Sequence, residues 1–168
     1  MKSCQKKICI IDQINYRHLG SLLLLFFSFT ANSQIAIYTI QGFDFGSFYQ
    51  GNSGGTVDIS NTGIRSATGD IILINSGPLV SQAAFEIEAP EGSVISIING
   101  PDISIAGSNG GTISLKLGGA DTGSPFITTE APPTRTRIQI GGTLTIGNKL
   151  ESPPGNYQGT FTITLNQE

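Results

Sequence analysis

Tryptophan is missing from this chain altogether, and its two cysteines, single histidine and single methionine all fall within the first 33 of 168 residues. From Gln34 onward there is no thiol and no imidazole. A disulfide, a thiolate nucleophile and a histidine base or metal ligand are therefore excluded from that part of the chain. Charge is scarce as well, at 12% of residues. Beyond residue 33 only Arg65, Lys116, Arg135, Arg137 and Lys149 stand against eleven acids, an excess of six negative charges with no basic stripe. Such a surface is a poor partner for nucleic acid or an anionic membrane.

The first 33 residues have the order of a secretory leader. "MKSCQKK" and Arg17 are basic, "LGSLLLLFFSF" is apolar, and "TANS" ends in small residues. The run from Leu19 to Phe29 is shorter than the roughly 20 residues that a membrane-spanning helix needs. Ala31 and Ser33 fit a small-x-small cleavage site, so residues 1–33 are expected to be a signal peptide and the mature chain to start at Gln34. Neither Cys4 nor Cys9 follows an apolar core, which argues against a lipid anchor. Residues 34–168 make one domain, long enough to bury a core without staples.

What this domain has in quantity is glycine, with 22 in the whole chain, and isoleucine and leucine interleaved with threonine and serine. β-Branched side chains pack well on a pleated sheet and lose freedom in a helix. Short alternating runs recur: "IAIYTI", "FDFGSF", "TVDIS", "IILIN", "AFEIEA", "VISII", "ISIAG", "TISLKL", "RIQI", "TLTIG" and "YQGTFTITL". Gly, Asn, Asp, Ser and Pro separate most of them, and no window keeps a helical period. The pattern predicts an all-β fold, an immunoglobulin-like antiparallel β-sandwich. "GGT" opens three of the runs, at Gly54, Gly110 and Gly141, and is expected to mark hairpin entries. The final run is the most regular. Tyr157, Gly159, Phe161, Ile163 and Leu165 share one face, after a turn at Pro153, Pro154 and Gly155.

"IQGFDFGSFYQGNSGGTVDIS" and "IGGTLTIGNKLESPPGNYQGTFTITLNQE" together resemble an uncharacterised family of exported bacterial β-sandwich domains, classed as a domain of unknown function. The shared features are Asp44, Phe45 and Gly46, then Gly142 to Leu144, then Gly155, Tyr157, Gly159 and Phe161. The closing strand is also similar to the end of spore-coat-type and chaperone–usher pilin subunits. That resemblance implies a pilin-like sandwich finished by an extended segment of another subunit, through strand addition. It names an assembly strand made of Ile35, Ile37, Tyr157, Phe161, Ile163 and Leu165, with "QIAIYTI" either a donor or this domain's own first strand. Partners would be further copies or another surface subunit, with a chaperone in addition. The location would be the periplasm, the bacterial cell surface or the medium.

The one enzymatic lure is "GGADTGSPF", since Asp-Thr-Gly-Ser is an aspartic-protease signature and paired aspartates can activate water. Asp121, however, follows Gly118, Gly119 and Ala120 where that family places an apolar strand, so a glycine-rich loop is the better reading. Asp44, between Phe43 and Phe45, reads as a turn-stabilising residue before it reads as a calcium ligand. Glu86, Glu88 and Glu91 lack calcium-loop spacing and read as a solvated face. Loops from Pro101 and from Gly119 to Arg137 offer binding surface, though three tyrosines make a thin glycan platform. The expectation is a secreted, non-enzymatic structural or adhesive component with no cofactor and no metal, assembled by strand addition as a fimbrial subunit. The alternative is a monomeric extracellular module that binds a glycan or protein, and a hydrolase at Asp121 is the remote third.

Overall fold

The computed structural model describes residues 35–77 and 79–168, so the expected signal peptide and Gln34 lie outside the described residues. The described chain is all β. Its strands are β1 (Ala36–Gln41), β2 (Ser47–Ile59), β3 (Arg65–Ile74), β4 (Ala83–Glu88), β5 (Val94–Asn99), β6 (Ile103–Ala106), β7 (Thr112–Ala120), β8 (Phe126–Ile127), β9 (Thr136–Ile146) and β10 (Ile163–Gln167). Every pairing is antiparallel, in one sheet of seven strands and another of three, ordered β10-β5-β8. The two sheets form a β-sandwich.

Strand β9 organises the large sheet. On one edge it pairs first with β4, Ala83 opposite Ile140, and then with β2, Val57 opposite Leu144. Its other edge pairs with β7, which in turn carries β6. β1 closes the sheet beyond β4, and β3 lies beyond β2. Along β9, Ile138, Ile140, Gly142, Leu144 and Ile146 are buried, while Arg137 and Thr145 are exposed. This period of two puts one unbroken apolar face toward the second layer. "RIQI" and "TLTIG" were expected as two strands with a turn at Gly141–Gly142. They are one strand, because the glycines serve close packing and neither has positive φ. Only Gly110 and Gly111, at φ 84° and 67°, make the expected hairpin entry, between β6 and β7.

The β2–β3 hairpin is bent back on itself. Its register breaks between Gln50 and Gly55, where Gly54 and Gly69 take φ 73° and 70°. The Asp70 carboxylate holds the bend by accepting from the Asn52 and Ser53 amides at 2.5 and 3.2 Å. Arg65, at the start of β3, donates to the carbonyl of Ile74 at its end (2.9 Å) and to those of Phe45 and Ser47. In a straight strand those ends would lie roughly 30 Å apart. The distal half, residues 47–50 paired with 71–74, is therefore a flap. Its Phe48, Ile71 and Leu73 pack on the same cluster as Val57, Leu115, Leu144 and Ile146 of the large sheet.

The apolar face of the large sheet thus has two covers. Ile95, Ile97, Phe126, Ile163 and Leu165 of the three-stranded sheet cover Phe85, Ile87, Ile138 and Ile140. The flap covers the other half. Phe43 and Phe161 touch both clusters, with ring centroids 5.2 Å apart.

Candidate functional site

The second layer is not continuous. Between the flap and the chain leading into β10 lies an open cleft of about 1330 Å³. Ile105, Ile113, Leu115, Leu144 and Ile146 of the large sheet line it, with residues 42–50 on one side and 152–161 on the other. Both sides have unpaired backbone. The backbone of residues 47–50 pairs with β3 alone, since β9 reaches β2 only from Gly55 onward. Among the described residues, no backbone hydrogen bond links 158–161 to any neighbour. An apolar floor between two open main-chain edges is what one further extended strand would fill.

The walls are fixed by local contacts. Asp44 accepts from the Gly46 amide at 2.8 Å and exchanges backbone bonds with Ser81, which makes it the turn-stabilising residue that its setting suggests. The expected strand "FDFGSF" begins only at Ser47, since Gly46 turns at φ 65°. Across the cleft the Tyr157 hydroxyl donates to the Pro153 carbonyl at 2.6 Å, and Tyr157 bridges to Gly107. The buried Gln50 donates to the Gly147 carbonyl at 2.6 Å and ties the flap to the end of β9. Lys149 lies at the rim, its ammonium 5.7 Å from the centre of the Tyr49 ring.

The residues of the expected assembly strand are distributed over the second layer and the edge of the first. Tyr157 and Phe161 line the cleft. Ile35, Phe161, Ile163 and Leu165 pack on one cluster, whereas Ile37 is 45% exposed on β1. β1 pairs with β4 of its own chain. The final strand is shorter than the sequence implies. Only Ile163–Gln167 pair, with β5, although the inward alternation runs back to Tyr157.

Asp121 is engaged structurally. Its carboxylate accepts from the amides of Gln139 (2.7 Å) and Thr122 (3.0 Å), which pins the turn after β7 to β9. Among the described residues no three acidic, histidine or cysteine side chains gather as a metal site. Glu86 and Glu88 are not merely solvated. Both pair with Arg135 at 3.3 Å, and its guanidinium lies 3.7 Å from the centre of the Tyr38 ring. Desolvation pulls the Arg135 pKa down, but the hydrogen bonds to Glu88 and Glu86 outweigh it and hold the pKa above the ordinary arginine value. The sequence gives no signal for this clamp or for the flap wall, whose members lie up to about a hundred residues from their partners.

No helix of the described residues is long and apolar enough to cross a membrane. Comparison with curated proteins and with solved structures finds no match. A family model does match, the domain of unknown function DUF4402, over residues 35–167. The chain belongs to that family.

Proposed function

We propose that this member of the DUF4402 family is a secreted, non-enzymatic structural or adhesive component of a bacterial surface, a pilin-like subunit assembled by strand addition. The observation that carries the reading is the cleft, where two unpaired main-chain edges at 47–50 and 158–161 flank an apolar floor. An incoming segment with alternating apolar residues would place one face on Leu115, Leu144 and Ile146 and hydrogen-bond along the walls. The leader-like first 33 residues and the absence of cysteine and histidine beyond them agree with an exported, chemically inert part.

Hydrogen exchange tests this directly. A synthetic peptide of residues 34–41, "QIAIYTIQ", is titrated into the chain as a model extended strand. Slowed exchange at residues 47–50 and 158–161 supports strand addition, whatever the peptide does at other edges. Unchanged exchange at both walls under saturating peptide overturns it.

A further inference from the structure

Beyond the cleft, the large sheet ends in β1, whose outer edge has no partner among the described residues. Folded proteins blunt such edges with charge, proline, shortness or a bend, because an open row of amides and carbonyls otherwise templates another strand. The other edges here are blunted in those ways. β3 carries Arg65 and Asp70 and bends between them. β6 has four residues, and its end is met by Tyr157 at Gly107. β8 has two residues and follows Pro125, while β10 runs into Glu168, which accepts a hydrogen bond from Ser96.

β1 has none of these protections except a register shift near Ile40. Its sequence, Ala-Ile-Tyr-Thr-Ile-Gln, has no charge and no proline. Ile37, Tyr38 and Ile40 are 45%, 38% and 46% exposed. Ile37 lies opposite Ile87 on the core side, and on the outer side Tyr38, opposite Glu86, remains partly exposed although the Arg135 guanidinium lies over its ring. A strand added there would meet apolar contacts above and below the sheet.

We infer that this edge pairs antiparallel with β1 of a second copy and joins two large sheets into one across a two-fold axis. The occupant follows from the edges themselves. A strand that is itself neutral and apolar fits a neutral, apolar partner, and of the other sheet edges outside the cleft β3 is charged and bent, β6 and β8 are short, and β10 runs into the charged Glu168. Pairing is thus β1 to β1, which closes on itself as a dimer and does not propagate. A register centred on Thr39 would set Tyr38 opposite Ile40 of the other copy, an aromatic with β-branched pair of the favoured kind. This inference does not depend on the cleft being an acceptor.

The test is the solution mass of the chain recovered after expression with its own leader, as it stands and as Ile40→Lys and Ile72→Lys. Ile72, on the outer side of the flap and 64% exposed, controls for loss of exposed apolar surface. The expected result is a dimer that dissociates on dilution, a monomer for Ile40→Lys with unchanged circular dichroism, and a dimer for Ile72→Lys. A monomeric unsubstituted chain, or a dimer that survives Ile40→Lys, overturns the inference. Should Ile40→Lys fail to fold, hydrogen exchange of the unsubstituted chain decides. Amides of Ala36–Gln41 that point away from β4 must slow as concentration rises, and no change with concentration sinks the idea.

Discussion

The ring of Phe43 lies directly on Gly142. A Cβ placed on that glycine would sit 2.9 Å from Cζ of the ring, at the middle of the buried face of β9. The ring also stacks on Phe45, with centroids 5.4 Å apart. Gly142→Ala must therefore push Phe43 out of its seat between the two clusters. Overpacking of this kind costs about 1–3 kcal/mol. Chemical denaturation should show the midpoint falling at unchanged slope, and a variant as stable as the parent would mean that the ring moves freely.

Asp70 should govern the flap. Its carboxylate is what satisfies the Asn52 and Ser53 amides at the bend. Asp70→Ala leaves both to water and costs about 1 kcal/mol in this exposed position. The loss should be local. Exchange at residues 47–50 and 71–74 should speed up more than at β9, because a two-stranded flap opens below the global unfolding energy. Equal acceleration everywhere would show that the flap and the large sheet open together.

These two sites mark how far the sequence could be read. Alternation fixed the inward residues of the chain's end, since a period of two survives whatever the strand pairs with, and it marked the two runs of β9 without showing that they are one strand. The Asp44 turn was legible because its acceptor and donor are two residues apart. The role of a glycine was not, since the letters at Gly110–Gly111 and Gly141–Gly142 are alike. One pair turns the chain, and the other makes room for a ring contributed from about a hundred residues away. The cleft was out of reach for the same reason. It depends on which edges lack partners, and pairing is a property of the whole fold.

Arg135 should act as a latch on β1. Its guanidinium covers Tyr38 while two of its nitrogens bond Glu86 and Glu88 on β4. Arg135→Ala should accelerate exchange of the β1 amides several-fold and leave β9 unchanged. Lysine should restore little, since one ammonium cannot span both carboxylates in that geometry. The raised pKa gives a sign for pH as well. A cation stabilised by folding contributes fully below its unfolded value and is lost only as pH rises through the higher folded value, both far above neutrality. Titration of Arg135 should therefore leave protection of β1 constant from about pH 7 to about pH 10.

Phe161 is where the two halves of the core should prove to be one. Its ring lies 5.2 Å from that of Phe43 and 6.2 Å from that of Phe85, and it packs on both clusters. Phe161→Ala should cost about 3 kcal/mol, toward the lower end for a phenylalanine because the residue is only half-buried. The more informative measurement is the cycle with Phe43→Ala. If the aromatic contact couples the flap side to the three-stranded side, the double variant should lose about 0.5–1.5 kcal/mol less than the sum of the singles. Additive losses would mean that each ring serves only its own cluster. The cleft would then be a boundary between two separately stabilised halves, and filling it with a strand would have to supply the coupling that the rings do not.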